Sequence, residues 1–205
     1  MSINEMDLCI WDFETSGLDP EKESVIEMAA LKIHKGIIVG SFNCFVKHDK
    51  PLSQKITELT GITDEDLKDG FDEDIAFRLL KQFMGNNIIV AHNASFDLQF
   101  LHHSRMRLFN LSFGNSFIDT LSIARDRDVF PHKLTNLCER YDIEMDTAHR
   151  ALADVYGCYH LLQKFDRDDS IEPWINRLGY LSKYGAPKWS PDYADVFGTE
   201  NKYKN

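Results

Sequence analysis

Short apolar runs rich in β-formers open the chain, and their spacing predicts strands. Residues 7–14, Asp-Leu-Cys-Ile-Trp-Asp-Phe-Glu, end in acids and lead into the turn-prone Thr15-Ser16-Gly17-Leu18-Asp19-Pro20. Residues 25–33 and 36–46 read as two further strands across His34-Lys35-Gly36, so a three-strand meander is expected in the first third. The period then changes. Residues 53–60 and 63–67 are short helix candidates with polar caps, and Ile75, Leu79, Leu80 and Phe83 mark the inner stripe of a longer helix. A brief Ile-Ile-Val strand at 87–91 precedes a Ser95-capped helix to about Leu108, and a weak strand lies near Phe117-Ile118. Helices at 120–125, 134–141 and 148–165 complete the body. A meander followed by alternating helices and strands implies an α/β domain with a mixed five-stranded sheet flanked by helices.

Composition narrows the class. The 205 residues suffice for one well-buried domain with a short extension, and 43% hydrophobic with 12% aromatic residues excludes a mostly disordered chain. No run approaches the roughly 18 apolar residues of a spanning helix, and residues 1–8 lack a basic, apolar leader. A cytoplasmic protein with no membrane contact is expected. The formal charge of −10 argues against a broad basic surface for duplex DNA, but not against a local site where metal ions supply the positive charge. Cys9, Cys44, Cys138 and Cys158 are scattered without a C-x-x-C pair, as expected of buried thiols. Seven acids within 64–74 fail the calcium-loop pattern, because Lys68 and Asp69 occupy its fifth and sixth positions; they read as a solvated face.

The informative acids are those placed where cores belong. Asp12 and Glu14, two apart at a strand end, share one face. Asp97 stacks with Leu101, Ser104 and Leu108 on one helix, and Asp154 with Ala151, Cys158, Leu161 and Phe165 on another. A carboxylate facing a core needs neutralisation, a cation or a metal. Arg150 and Lys22 are the few bases nearby in sequence. Oxygen ligands without soft donors suit Mg²⁺ or Mn²⁺, and two such ions roughly 3.5–4 Å apart would serve an in-line phosphoryl displacement. His149 offers a near-neutral base. On an ideal helix the step from His149 to Asp154 turns about 500°, so both serve one site only if His149 stands at or before the helix start.

Asp12-Phe13-Glu14-Thr15, His92-Asn93-Ala94-Ser95-Phe96-Asp97 and His149-Arg150-Ala151-Leu152-Ala153-Asp154 resemble, in order, the three motifs of the DEDDh exonucleases. The sister group with tyrosine in the third motif would carry it at 150, where this chain has Arg150. The resemblance covers roughly residues 6–165. It implies an RNase H-like sheet and 3′→5′ hydrolysis of single-stranded nucleic acid, DNA before RNA, with release of nucleoside 5′-monophosphates. It further implies that Asp12, Glu14, Asp97 and Asp154 hold two Mg²⁺ or Mn²⁺ ions, that His149 is the general base, and that Thr15, Leu18, Asn93 and Phe96 touch substrate. Residues 56–63 resemble a segment near the family's substrate groove. An exonuclease domain is expected over 1–169.

The segment 170–205 is of another kind: five Lys or Arg against four acids give it +1, leaving −11 on the body. Its aromatics, among them Trp174, Tyr180, Tyr184, Trp189 and Tyr193, are expected to pack on the domain or to meet substrate or a partner. No Gln-rich tether like that of a proofreading subunit is visible, which favours a free-standing exonuclease. A polymerase or repair partner, an RNA-trimming role and a catalytically silent nucleic-acid scaffold are the alternatives.

Overall fold

The computed structural model describes residues 2–145 and 150–200. Its central sheet is built from β1 (Asp7–Thr15), β2 (Val25–His34), β3 (Ile37–Phe45), β4 (Ile88–Ala91) and β5 (Phe117–Asp119), in the order β3-β2-β1-β4-β5. The first three pair antiparallel and β4 and β5 run parallel to β1, which is the mixed sheet the pattern predicts. The helices are α1 (Gln54–Thr60), α2 (Asp64–Leu67), α3 (Glu73–Met84), α4 (Ala94–Phe109), α5 (Thr120–Arg127), α6 (Leu134–Arg140) and α7 (Ala151–Asp168).

The two faces of β1 feed two cores. Cys9, Trp11 and Phe13 pack toward α3 and α4, with Phe13 edge-on to Trp11 at 4.7 Å and to Phe77 at 5.9 Å between ring centroids. Leu8 and Ile10 pack with Val155, Leu161 and Leu162 of α7. Period-2 alternation then carries Asp12 and Glu14 onto the α7 face, past the point where that core ends.

Two local expectations shift. The buried stripe of α3 is Ala76, Phe77, Leu80 and Met84, while Ile75 and Leu79 are exposed. Phe77 wins the inward position because it reaches Phe13, which turns the helix away from its smaller apolar edge. Ser95 does not cap α4; the helix begins at Ala94, with Asn93 as N-cap at φ 68° and no side-chain cap bond. The cap comes from a distant residue, Asp119, whose Oδ1 accepts from Ala94 N–H at 3.0 Å. The last helix, α7, runs to Asp168, and Asp166 on it accepts from Ser2 Oγ at 2.8 Å and Ile3 N–H at 2.9 Å.

Beyond α7, β6 (Arg177–Leu181) and β7 (Asp195–Thr199) form a parallel pair. Asn176 exchanges bonds with Phe117 of β5, N–H to carbonyl at 2.7 Å and side-chain oxygen to N–H at 2.9 Å. Gly179 N–H donates to Ser122 Oγ at 2.7 Å, and Trp189 stacks on His102 with centroids 3.9 Å apart. Tyr193 donates to Asn115 O at 2.7 Å, and Trp174 is buried. All four cysteines are buried and free, and none of the described helices is long and apolar enough to cross a membrane.

Candidate active site

The site forms where β1 outruns its parallel neighbour. β4 pairs with β1 only along Leu8, Cys9 and Ile10, so the strand beyond is open to α4. Asp97, buried in the first turn of α4, fills that space and accepts from Phe13 N–H at 3.2 Å. Asp119 makes this placement possible. Besides Ala94 it accepts from Leu121 and Ser122 N–H at 3.2 Å each, so one buried carboxylate caps both α4 and α5 and fixes where α4 starts.

On the other face, the first turn of α7 brings Asp154 to Asp12 and Glu14. Each can offer a carboxylate oxygen within 4.8 Å of the other two. α7 is held there by Glu27 of β2, the direct cross-strand partner of Glu14. The Glu27 carboxylate accepts from Arg150 Nε at 3.3 Å and Nη2 at 3.2 Å, and from Ala151 N–H at 3.3 Å. Arg150 is thus engaged with a different acid. Among the described residues no Lys or Arg lies within salt-bridge distance of Asp12, Glu14 or Asp97.

Four acids gathered this way oppose one another's ionisation. Burial raises the Asp12 carboxyl well above the usual range, reinforced by Asp97, Glu14, Asp154 and Glu27. Glu14 is pushed up to about 8 by burial first, then by Asp154, Glu27 and Asp97. Asp97 reaches about 8 through burial, against the lowering effect of its bond from Phe13 N–H. Partly buried, mutually repelling oxygen donors fit a hard divalent cation, whose charge would remove the repulsion.

That fit sets a pH signature. Glu14 and Asp97 titrate near 8 in the folded protein, against about 4 when unfolded. Between those values the native state holds protons that the unfolded state has released, so ion-free stability falls as pH rises through the window. Millimolar Mn²⁺ or Mg²⁺ should therefore raise the melting temperature far more at pH 8 than at pH 5. Equal increments at both values would contradict a cation seated on these carboxylates.

The remaining sequence candidates fall in different places. His149 lies outside the described residues. Thr15 is buried and its hydroxyl donates to Gly17 O at 2.7 Å, closing the turn that carries Leu18 outward. Asn93 is exposed and left-handed at the mouth of α4. Phe96, partly buried with its ring 4.9 Å from Phe100, lines a groove with Leu18. His92, the first residue of the second motif, has both ring nitrogens engaged: Nε2 with His132 O and Nδ1 with Thr120 Oγ1, each at 2.9 Å. A carbonyl can only accept, so Nε2 carries a proton toward His132 O, while Nδ1 meets the Thr120 hydroxyl. Burial lowers the pKa of this ring, which suits a neutral tether between loops. Glu27 and Asp119 were not foreseen from sequence. A lone acid inside the apolar run Val25-Ile26-Glu27-Met28-Ala29 is the signal that marks the first.

A family profile described as Exonuclease, RNase T, matches residues 9–162. The chain belongs to this exonuclease family, of the DEDD type. Its curated relatives include the PolC-type DNA polymerase III of Bacillus subtilis, 38% identical over 171 residues, which is 81% of this chain and 12% of that protein. The corresponding Listeria monocytogenes protein is 32% identical over 219 residues, covering 100% of this chain and 15% of its own length. The chain therefore spans a small fraction of these polymerases. Among solved structures, an Escherichia coli exonuclease I–ssDNA complex with bound zinc superposes with a TM-score of 0.73 at 20% identity, over 80% of this chain and 41% of that one. Exonuclease X in complex with 5′ overhanging duplex DNA gives 0.65 at 26% identity, over 79% and 92%. The sheet is thus the RNase H-like fold of the exonucleases.

Proposed function

We propose that the chain is a 3′→5′ exonuclease that hydrolyses the terminal phosphodiester of single-stranded nucleic acid, DNA in preference to RNA, and releases nucleoside 5′-monophosphates. The observation that carries this reading is the convergence of Asp12, Glu14 and Asp154 within 4.8 Å at the open end of β1, with Asp97 beside them. Asp12, Glu14 and Asp154 would hold one Mg²⁺ or Mn²⁺, and Asp12 with Asp97 a second. Bound there, the ions supply positive charge to the attacking and departing oxygens of the phosphate.

The protein's own groups do the rest. Leu18 and Phe96 bracket the terminal nucleotide, and Asn93 and the Thr15 backbone hold it. His149 accepts the proton of the attacking water as the P–O3′ bond breaks. The polymerase relatives favour proofreading beside a DNA polymerase as the biological setting, and four free buried thiols suit a reducing cytoplasm.

Matched DNA and RNA oligonucleotides labelled at either end test the reading. With Mn²⁺, a 3′ label should leave at once as mononucleotide, a 5′ label should remain on a ladder of shortening products, and chelation should stop both. Internal cuts or loss of the 5′ label first would refute it. In the same assay His149→Ala should lower kcat by about a hundredfold and leave the metal concentration for half-maximal rate unchanged. A normal rate removes His149 from the mechanism, whereas a shifted metal requirement makes it a ligand.

A further inference from the structure

Leu18 and Tyr184 are the two most exposed large hydrophobic side chains among the described residues, at 79% and 76%. They line the same groove of about 420 Å³, one from the turn after β1 and the other from the C-terminal segment. Its lining also includes Phe96 and Gln99 of α4, and Asp19 and Lys188, whose opposite charges act on each other. Phe96 directly precedes Asp97, and Leu18 follows Glu14 by one short turn, so the groove adjoins the carboxylate site.

The C-terminal wall is fixed in place. Gly185, at φ +77°, turns the chain after Tyr184, a conformation that an L side chain would strain. On one side of this turn, β6 is bound to the body through Gly179, whose carbonyl also accepts from Arg125 Nη1 at 2.6 Å. On the other, Trp189 is stacked on His102. Tyr184 keeps most of its side chain in solvent. Its ring carries Lys183 Nζ at 4.4 Å from the centroid, and among the described residues neither Lys183 nor Lys188 has a carboxylate within salt-bridge distance. Two such lysines beside an exposed ring, in a chain of net charge −10, are complementary to a strand of phosphates and bases.

We propose that Tyr184 and Lys188 form a second nucleotide subsite: Tyr184 stacks on a base upstream of the terminal nucleotide, and Lys188 meets a backbone phosphate of the same strand. The proposal rests on the exonuclease reading and extends it to residues outside the three motifs. The subsite makes the enzyme sensitive to substrate length, because a mononucleotide cannot reach it.

The test compares oligo-dT with the p-nitrophenyl ester of thymidine 5′-monophosphate. Tyr184→Ala should raise KM for oligo-dT about 5- to 20-fold, the effect of losing one base–aromatic stack, and leave kcat/KM for the ester unchanged. Tyr184→Trp should restore the oligonucleotide KM. Lys188→Ala should reduce the slope of log affinity against log salt by about 0.7, one phosphate contact on a single strand. An unaltered oligonucleotide KM in Tyr184→Ala, or equal losses on both substrates, overturns the subsite. If wild-type protein hydrolyses neither substrate, the exonuclease reading fails on its own. Fluorescence anisotropy with labelled oligo-dT, which needs no turnover, then decides the subsite: weaker binding of Tyr184→Ala supports it, and unchanged binding refutes it.

Discussion

Asp12→Asn is expected to lower metal-dependent mononucleotide release by about a thousandfold and, in the same protein without ions, to raise the melting temperature. Both effects have one cause. Asp12 stands where Asp97, Glu14, Asp154 and Glu27 all act on it, and each of them raises its carboxyl pKa on top of burial. An amide keeps the shape and cannot ionise, so the ion-free fold no longer has to hold a proton on its most opposed carboxyl. Relief of about 1–2 kcal/mol is reasonable for a group in such surroundings, which corresponds to roughly 2–8 °C for a domain of this size. The gain should grow with pH across the window in which the neighbouring acids release their protons. Added Mn²⁺ should then stabilise the variant much less than the wild type. Retained turnover would refute the assignment of Asp12 as a ligand. A fall in the ion-free melting temperature would show that its carboxylate serves the fold through bonds rather than opposing it.

The parts of this site that were legible in the sequence are those set by short-range periodicity. Asp12 and Glu14 share a face because strands alternate, and Asp97 and Asp154 face inward because each lies on the apolar stripe of its helix. The sheet followed from runs of β-formers, and its mixed character from a meander succeeded by helix–strand alternation. What escaped depends on contacts between remote segments. The start of α4 is set by Asp119, 25 residues beyond Ala94, so Ser95 looked like the cap on local grounds. The facing of α3 is decided by Phe77 meeting Phe13 across the chain. The partner of Arg150 lies 123 residues away. In each case a single long-range bond or ring contact overrides a local preference worth about 1 kcal/mol or less.

That remote partner gives the second large effect, and its two halves should be unequal. Glu27 joins the strand beside Glu14 to the helix that carries Asp154. Its side chain is 1% exposed, whereas that of Arg150 is 41% exposed. Removing the arginine strands a carboxylate in the interior with only Ala151 N–H to hold it. Removing the glutamate leaves a guanidinium that already reaches water, and rests near the Phe45 ring at 5.4 Å. Arg150→Ala should therefore cost about 3–5 kcal/mol, the usual penalty for an uncompensated buried charge. Glu27→Ala should cost less, about 1–3 kcal/mol, chiefly the lost helix cap and packing. The double variant should match Glu27→Ala, since the stranded charge is gone. Denaturant unfolding of the three proteins decides this, and equal losses in the single variants would contradict it. Because both residues act on the α7 N-terminus rather than on substrate, turnover should fall together with metal affinity. Glu27→Gln should recover part of both, because an amide oxygen can still accept from Ala151 N–H.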